Sequence, residues 1–353
     1  MTAFFTLNLF NIFWARSHRK PSVSLSHHIA MPILLGRHGE RLDYVLRDAA
    51  KASGADGPYF KDVQPDAPWD PPLTAAGGRQ AAAMGRAAAR ALAGRKLPPL
   101  TAVYSSPLIR CVQTAAAVAE ALSTDTVSMP VYVEPSLIET CGESWFRSWA
   151  LSGSDSTWGG PQSCRLGAAV DKTSLHAAAR RPVDGIIRSG AEIVAACAAE
   201  LLADDDDRGT TLLGDVIAAR VDATYTPFAS PPPMRWGEFE TEEMLARRLA
   251  AFFDHATRRH HDAGESVLFV SHGGPTAAIF RNAMEGATAP EAGWPRCGYC
   301  GLYLLEKPAA VEVGGWETPL VADATHLSEV PEATVEARSD AAEQRGEVAS
   351  ERT

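Results

Sequence analysis

A short apolar run leads into a histidine flanked by arginines in the stretch Ile33-Leu34-Leu35-Gly36-Arg37-His38-Gly39-Glu40-Arg41-Leu42-Asp43. The run from Pro32 to Leu35 is bounded by breakers, which predicts a short buried strand. In open α/β folds, ligand crevices lie at the carboxyl ends of such strands. Gly39 allows a sharp turn and gives a bulky anion room to approach the backbone. The stretch therefore predicts a polar site at the end of a strand.

The residue types in this stretch suit phosphoryl transfer. Arginine offers a planar, permanently charged group that matches phosphate oxygens, and a neutral imidazole can attack phosphorus as a nucleophile. The same residues could also form a surface turn without any catalytic role. The stretch alone leaves both interpretations open, and other parts of the chain decide between them.

Four stretches, in order along the chain, carry a resemblance to a known family. Arg37-His38-Gly39-Glu40-Arg41 is similar to the signature of the histidine phosphatase superfamily, also called phosphoglycerate-mutase-like. The other three are Ser105-Ser106-Pro107-Leu108-Ile109-Arg110-Cys111-Val112-Gln113-Thr114-Ala115, Val133-Glu134-Pro135-Ser136-Leu137-Ile138-Glu139 and Val270-Ser271-His272-Gly273. Within the superfamily, the chain most resembles the suppressor of T-cell receptor signalling (T-cell ubiquitin ligand) phosphatases and the insect ecdysteroid-phosphate phosphatases.

The resemblance implies a role for each matched site residue. His38 is the nucleophile that becomes a phosphohistidine, Glu139 is the general acid and base, and His272 completes the catalytic set. The residues that hold the phosphoryl oxygens are Arg37, Arg41, Arg110, His272 and Gly273. Because these cationic groups offset the charge of the transferring group, the resemblance implies that neither a metal nor a cofactor is required.

Two of these residues are also supported by their positions in predicted elements. A helix that starts near Pro107 places Arg110 in its first turn, where anions are favoured, although an exposed helix arginine is the alternative. His272 follows the apolar strand Val267–Val270, as His38 follows the first strand. Two parallel strands could therefore bring the histidines together, although a core histidine is the alternative for His272.

The assignment of the general acid rests mainly on the resemblance. Glu139 lies in a predicted loop, where a glutamate is ordinarily a solvated side chain. Two nearby rivals stay open: Glu134, which is better explained as a structural residue at the end of a strand, and Glu143, which lies off the family position. We assign proton transfer to Glu139.

The predicted elements indicate a single α/β domain, a three-layer sandwich with a mainly parallel central sheet and helices on both faces. Further strands are expected at Ala102–Ser105, at Val131–Val133, and in a terminal hairpin of Gly301–Glu306 and Val311–Gly314. The stretch from Asp43 to Trp69 is rich in Gly, Pro and Asp and is expected to form a loop over the site.

Helices are expected over Gly78–Ala93 with Thr74 as N-cap, from Pro107 to about Leu122, and over Ile186–Leu202, Thr241–Arg259 and Ala277–Met284. The helix over Thr241–Arg259 is amphipathic. Its predicted buried stripe consists of Met244, Leu245, Leu249, Phe252 and Phe253.

Residues 31–320 are predicted to form the histidine phosphatase domain, interrupted at about 140–222 by a surface insertion with one helix and disordered flanks. Residues 1–30 are expected to be a disordered or targeting segment, since the apolar run Phe4–Trp14 is too short to span a bilayer. Residues 321–353 are expected to be an acidic disordered tail. The ubiquitin-associated and Src-homology-3 modules of the vertebrate relatives have no counterpart here, so a bare catalytic domain is expected.

Charge and cysteine content bound the partners and the compartment. The net charge of −10 argues against non-specific nucleic-acid binding, and no membrane partner is expected. The six cysteines lack the regular spacing of a zinc site or a disulfide framework, which favours a reducing, cytoplasmic compartment. Import into an organelle through residues 1–30 is the alternative. The vertebrate relatives suggest a homodimer.

Taken together, the sequence predicts a metal-independent phosphomonoester hydrolase that acts on a phosphorylated small molecule or a phosphoprotein. A mutase of the phosphoglycerate type, a catalytically silent module that binds a phosphorylated ligand, and a scaffold role of the insertion and tail are the alternatives. The physiological substrate is not determined by these residues.

Overall fold

The computed structural model describes residues 31–54, 60–64, 67–124, 126–142, 187–200, 214–230, 232, 239–261, 263–285, 293–307 and 315–330. Six strands lie in these residues: Met31–Arg37 (β1), Leu100–Ser105 (β2), Val131–Val133 (β3), Ser266–Ser271 (β4), Leu302–Lys307 (β5) and Glu317–Asp323 (β6). The α-helices in the same residues are Leu42–Ser53 (α1), Phe60–Val63 (α2), Ala75–Gly94 (α3), Ile109–Leu122 (α4), Gly190–Glu200 (α5), Gly214–Arg220 (α6), Glu242–His261 (α7) and Gly273–Ala283 (α8). Short 3-10 turns lie at Pro135–Leu137 and Thr325–Glu329. None of these helices has the length and apolar character that crossing a membrane requires.

The strands form one mixed sheet in the order β3-β2-β4-β1-β5-β6. The strands β3, β2, β4 and β1 are parallel, whereas β5 and β6 pair antiparallel at one edge. In the register of β1 with β4, Ile33 lies opposite Val267 and Arg37 lies opposite Ser271. The two strands therefore end side by side, and a histidine follows each of them directly.

The side chains of β1 alternate between two apolar cores, one on each face of the sheet. Leu34 packs in a core that includes residues of α3, α4, α5 and α6. Ile33 and Leu35 pack in a second core with residues of α7 and α8. Helices thus cover both faces of a mainly parallel sheet, which confirms the predicted three-layer α/β sandwich.

Most predicted elements around the sheet are confirmed, with small shifts at their ends. Thr74 caps α3 as predicted, because its side-chain oxygen accepts a hydrogen bond of 3.0 Å from the Gly77 N–H. On α7, the predicted apolar stripe is buried except for Met244, which is 41% exposed. Met244 lies in the first turn of α7, and its side chain projects from the helix axis in a different direction from the side chains of the buried stripe.

The prediction of a loop from Asp43 to Trp69 is wrong over its first part, where α1 lies, and at the short helix α2. Gly54 ends this helix in the left-handed region, with φ 68°, and its N–H bonds the carbonyls of Ala50 and Lys51. The glycine and proline residues that indicated a loop come at or after this cap. Composition averaged over the whole stretch therefore concealed a helix.

The carboxyl-terminal elements differ from the predicted ones. The first strand of the hairpin is present as β5, but its antiparallel partner is β6, and Val311–Gly314 lies outside the described residues. Disorder from residue 321 is wrong as far as residue 330, because β6 continues to Asp323 and a 3-10 turn follows. Leu320 and Leu327 pack against the core beside α3, which anchors this segment. The remaining tail, 331–353, lies outside the described residues, as do residues 1–30.

The segment predicted as a surface insertion contributes to the core. The predicted helix Ile186–Leu202 is present over a shorter range as α5, and the prediction of a single helix is wrong because α6 follows it. Ile193 of α5 and Ile217 of α6 are fully buried against the sheet. Val221 adds a parallel bridge to Val131 of β3. Residues 143–186 and 201–213 lie outside the described residues.

Replacing Ile193 by alanine should therefore destabilise the whole domain. Ile193→Ala removes a fully buried side chain from the core and should lower the free energy of unfolding by about 2–4 kcal/mol. Val194→Ala, one residue along the same helix at a partly buried position, is the matched control and should cost about 1 kcal/mol or less. Urea denaturation would measure both values, and equal losses would contradict a core position for Ile193.

Candidate active site

His38 lies directly after β1, and its backbone N–H donates to the carbonyl of Ser271 at 3.0 Å. The side chain is buried, with its Nδ1 2.8 Å from the carbonyl oxygen of Gly39. Because a carbonyl oxygen only accepts, Nδ1 carries the proton and Nε2 keeps its lone pair. The backbone of the signature turn thus selects the tautomer that a nucleophile using Nε2 requires.

The environment of His38 keeps its imidazole neutral. Burial lowers the pKa of His38 well below its ordinary value, and the charges of Arg110, Arg37 and Arg41 lower it further. The three arginines assigned to phosphate binding therefore act on the same imidazole ring. An imidazole held neutral in this way is available to attack phosphorus in mild acid as well as at neutral pH.

Arg110 lies in the first turn of α4 as predicted, although the helix begins at Ile109 and Pro107 precedes it. Its guanidinium is buried, and Nη2 donates to Nδ1 of His272 at 3.2 Å. Within the described part of the chain, Nε and Nη1 of Arg110 have no hydrogen-bond partner. Since buried donors are nearly always satisfied, these two N–H groups fit a bound oxyanion.

His272 directly follows β4 and lies against His38, with ring centroids 5.3 Å apart. This confirms that the two strand ends bring the histidines together. Nε2 of His272 lies 2.8 Å from Oγ of Ser106, and because Arg110 only donates to Nδ1, Nε2 carries the proton and donates to Ser106. Burial lowers the pKa of His272 well below its ordinary value, and Arg110 adds to this effect. A direct contact of His272 with a phosphoryl oxygen stays a prediction.

Gly273 and Gly274, which follow His272, belong to the first turn of α8. His272 has an extended backbone and precedes the helix directly, so the strand passes into the helix without a separate loop. A Cβ on Gly273 would lie 3.6 Å from the guanidinium carbon of Arg37. Glycine therefore leaves space beside Arg37, and its predicted role in phosphate binding stays a prediction.

Arg37 ends β1, and its guanidinium lies along one wall of the pocket. Nη1 donates to the carbonyl of Cys297 at 3.3 Å, and the guanidinium carbon lies 4.6 Å from the ring centroid of Tyr299. The Tyr299 ring is in turn 5.6 Å from the ring of His38. Tyr299 carries no signal in the sequence, because no motif or predicted element includes it. It is a site residue that only the folded chain reveals.

Arg41 is held in place by the residues that follow it. Its Nε donates to Oδ1 of Asp43 at 2.8 Å, its Nη2 bonds Oδ2, and its guanidinium carbon lies 4.3 Å from the ring centroid of Tyr44. Burial alone would lower the pKa of Arg41, but the Asp43 carboxylate, together with Tyr44 and Tyr299, outweighs this and holds the pKa well above its ordinary value. Arg41 also lowers the pKa of His38, which places its charge in the same pocket.

Glu139 lies in a loop after the 3-10 turn, as predicted, and is 6% exposed. Its Oε2 is 3.6 Å from Nδ1 of His272, and its Oε1 accepts from the Thr140 N–H at 3.0 Å. Burial raises the pKa of this carboxyl group, although the charge of Arg110 opposes the shift. A buried carboxyl group with a raised pKa beside the histidines is suited to holding a proton for a leaving group.

The two rival glutamates are placed differently. Glu134 is fully buried at the end of β3, where its carboxylate accepts from the Ser136 N–H at 2.9 Å, the Tyr225 hydroxyl at 2.9 Å and the Phe228 N–H at 2.8 Å. These bonds make Glu134 a structural anchor, as predicted. Glu143 lies outside the described residues.

A buried ion pair fixes the loop that carries Glu139. Arg248 of α7 makes two hydrogen bonds of 2.7 Å to the carboxylate of Glu240, and its Nη1 donates to the Ser136 carbonyl at 2.7 Å. Glu240 also accepts from the Cys141 N–H at 3.1 Å. The loop is therefore held on both sides of Glu139. Neither Arg248 nor Glu240 lies in a stretch that carries the family resemblance.

The turn after His38 packs against the start of α3 with no room for side chains. A Cβ on Gly39 would lie 2.6 Å from the Gly77 carbonyl oxygen, and a Cβ on Gly77 would lie 2.5 Å from the Glu40 carbonyl oxygen. The Gly39 N–H donates to Oγ1 of Thr114 at 3.0 Å. Glycine at these two positions is therefore required by the approach of two backbone segments.

Asp70 received no role from its position in the sequence, yet it lies beside the predicted phosphate site. It is 4% exposed, and its Oδ1 accepts from the Ile109 N–H at 2.7 Å, at the start of α4. The same oxygen is 4.0 Å from Nη1 of Arg110. Oδ2 accepts from Nη2 of Arg188 at 2.9 Å. Arg188 belongs to the predicted insertion, so these contacts link the insertion to the site.

Residues 33–149 and 213–318 match the family model of the histidine phosphatase superfamily (branch 1). The matched residues make up more than half of the chain and include every predicted site residue. The chain belongs to the histidine phosphatase superfamily. Membership of this superfamily supports phosphatase- or mutase-type activity. The internal stretch that the match leaves out, 150–212, lies within the predicted insertion.

One curated relative is the mouse ubiquitin-associated and SH3 domain-containing protein A, which is 35% identical over 122 residues. The match covers 30% of this chain and 19% of the mouse protein, so only a small part of that relative's length is spanned. It agrees with the resemblance to the T-cell receptor signalling group.

The chain is also similar to three solved structures. The ecdysone phosphate phosphatase of Bombyx mori, in complex with tungstate, is 17% identical with a TM-score of 0.48, over 88% of this chain and 96% of that chain. A phosphoglycerate mutase from Bacillus anthracis is 15% identical with a TM-score of 0.41, over 86% and 98%. A mycobacterial glucosyl-3-phosphoglycerate phosphatase is 18% identical with a TM-score of 0.41, over 83% and 99%.

Replacing Gly77 by alanine should force the signature turn away from α3. Because the new Cβ would meet backbone atoms, Gly77→Ala should lower the free energy of unfolding by about 1–3 kcal/mol. Gly94→Ala, at the other end of the same helix, is the matched control because a Cβ there meets nothing within 4 Å. The control should change stability by at most about 0.5 kcal/mol. Urea denaturation of both variants tests this, and equal stabilities would contradict the close approach.

Proposed function

We propose that this chain hydrolyses phosphate monoesters through a phosphohistidine formed on His38. The observation that carries the proposal is the arrangement of a neutral imidazole, with Nε2 keeping its lone pair, beside Arg110. The Nε and Nη1 groups of Arg110 have no hydrogen-bond partner in the residues that the structure describes. A nucleophile and anion-binding donors thus share one buried pocket, and membership of the superfamily supports the same chemistry.

In the first step, Nε2 of His38 attacks phosphorus in line, and a P–N bond forms as the P–O bond to the leaving group breaks. The proposed groups that hold the phosphoryl oxygens are Arg37, Arg41, Arg110 and the N–H of Gly273, and His272 orients Arg110 by accepting from its Nη2. Guanidinium groups fixed before the reaction stabilise the charge that develops on these oxygens without reorganising. The positive charge of three arginines supports a reaction that needs neither a metal ion nor a cofactor.

Glu139 transfers the protons in both steps. It donates its proton to the leaving oxygen as the P–O bond breaks, which releases a neutral alcohol or phenol. In the second step, the Glu139 carboxylate accepts a proton from water, the water oxygen bonds to phosphorus, and the P–N bond breaks. Inorganic phosphate leaves, and both His38 and Glu139 return to their starting protonation states.

The proposed substrate is a phosphorylated small molecule or a phosphoprotein, and the proposed compartment is the cytoplasm. Nucleic acid and membranes are not proposed as partners, and a homodimer is proposed from the resemblance alone. The pocket residues described above recognise the phosphoryl group, which all of these substrates share.

Hydrolysis of para-nitrophenyl phosphate in the presence of EDTA tests the nucleophile. The wild-type chain should be active with the chelator, and His38→Ala should lower kcat by at least about a thousandfold because no other group replaces the nucleophile. His261→Ala, at an exposed position at the end of α7, is the control and should retain full activity. Substantial hydrolysis by His38→Ala would overturn the proposal, and 3-phosphoglycerate interconversion supported by 2,3-bisphosphoglycerate would favour the mutase.

The pH dependence and the leaving group test Glu139. Because burial lowers the pKa of His38 and raises that of Glu139, the reactive pair of neutral imidazole and protonated carboxyl group is populated in mild acid. The value of kcat/KM should therefore rise as the pH falls from about 8, until His38 becomes protonated. Glu139→Gln should remove the alkaline limb of this profile.

Glu139→Gln should also lower the activity on substrates with poor leaving groups more than the activity on substrates with good ones. For an alkyl phosphate, whose leaving oxygen must be protonated, Glu139→Gln should lower kcat by roughly 10²–10⁴-fold. For para-nitrophenyl phosphate the loss should be smaller, because nitrophenolate leaves readily without a proton. Equal losses on the two substrates would contradict general-acid catalysis by Glu139.

A further inference from the structure

Arg188 lies in the part of the chain that the family match leaves out, and it reaches the edge of the phosphate pocket. Its side chain is 29% exposed, and Nη2 donates to Oδ2 of Asp70 at 2.9 Å. The preceding residue, Ile187, packs against a small apolar cluster that includes Leu108 and Ile138. Leu108 lies directly before α4, and Ile138 lies in the loop of the proposed general acid. The insertion is therefore anchored to the segments that form the site.

Asp70 introduces an electrostatic conflict into this pocket. Its carboxylate is buried, and Oδ1 is 4.0 Å from Nη1 of Arg110, one of the donors assigned to the phosphoryl oxygens. Oδ1 also accepts from the Ile109 N–H, so the carboxylate is fixed in position. Burial raises the pKa of Asp70, whereas Arg188 and then Arg110 oppose this shift and favour the charged form. A negative charge there competes with a phosphate dianion for Arg110 and repels the dianion directly.

The other charges of the pocket do not remove this conflict. The pocket holds three guanidinium groups and three carboxyl groups. The guanidinium groups belong to Arg37, Arg41 and Arg110, and the carboxyl groups belong to Asp43, Asp70 and Glu139. Asp43 bonds to Arg41, and Glu139 is neutral when it acts as the proposed proton donor. Asp70 is the third carboxyl group of the set, and Arg188 provides a cation for it.

We propose that Arg188 is a positioning residue, which neutralises Asp70 so that Arg110 stays available to the phosphoryl group. The inference rests on the proposed function and adds a role for the insertion. Arg188 acts through Asp70 and does not need to touch the substrate. Since the effect concerns the phosphoryl group, it applies to every phosphate monoester that the site accepts, and it changes KM more than kcat.

Arg188→Met in the full chain tests the proposal, because methionine keeps most of the length of the side chain and removes its charge. Isothermal titration calorimetry with inorganic phosphate should show binding about tenfold weaker than wild type. The KM for para-nitrophenyl phosphate should rise by a similar factor, with a smaller change in kcat. Arg188→Lys, which keeps the charge, should retain most of the affinity.

Arg220→Met is the matched control within the same predicted insertion. Arg220 of α6 pairs with Glu120 at 2.7 Å, on the surface of α4, so its loss removes an ion pair without changing the charge of the pocket. Phosphate affinity and KM should stay at wild-type values. A weakening equal to that of Arg188→Met would overturn the proposal, because the effect would then come from a general loss of insertion packing.

The double variant Asp70→Asn/Arg188→Met identifies the route of the effect. Asparagine can still accept from the Ile109 N–H but carries no charge, so phosphate binding should return to within about twofold of wild type. Wild-type affinity in Arg188→Met, or no recovery in the double variant, would overturn the role of Arg188. A wild-type chain that binds phosphate without hydrolysing esters would overturn the proposed function, while calorimetry on the same variants would still decide the role of Arg188.

Discussion

The parallel pairing of β1 with β4 is the constraint on which the site depends. Their register sets Arg37 opposite Ser271, and the His38 N–H continues the pairing by donating to the Ser271 carbonyl. Both strands end at the same edge of the sheet, so the histidines that follow them meet at 5.3 Å. A shift of one residue in either strand would turn one histidine towards the opposite core. The apolar alternation that builds the two cores therefore also sets the position of the proposed nucleophile.

Once the histidines are placed, the main physical problem of the pocket is buried positive charge. Each guanidinium is taken out of water, which is costly unless a partner compensates it. The chain supplies a different partner for each: Asp43 for Arg41, the Cys297 carbonyl and an aromatic ring for Arg37, and His272 for one nitrogen of Arg110. Groups held in this way are oriented before a ligand arrives, which is the condition for electrostatic stabilisation of a transition state.

The features that could be predicted from the sequence are those that depend on local hydrophobic patterns and short motifs. Apolar runs ending in His38 and His272 predicted two neighbouring strands, and the first turn of a helix correctly placed Arg110. Contacts between distant residues were not predictable, because Asp70 and Tyr299 become site residues only through packing. Composition led to a wrong prediction of a loop where α1 lies, because the glycines and prolines come at or after the helix cap. It also led to a wrong prediction of disorder where β6 ends, because this edge strand carries little apolar signal.

The residues that perform the proposed chemistry and those that set its conditions come from different parts of the chain. Strand ends and the signature turn supply the nucleophile and most of the cations, whereas α7 fixes the acid loop through Arg248 and Glu240. The segment before α5 adds Arg188 beside the carboxylate of Asp70. This carboxylate also accepts from the Ile109 N–H at the start of α4. Asp70 therefore serves the fold and opposes the anion at the same time. A pocket built on such a residue needs a further cation, and a segment outside the family match is a place where one can be added without disturbing the strands.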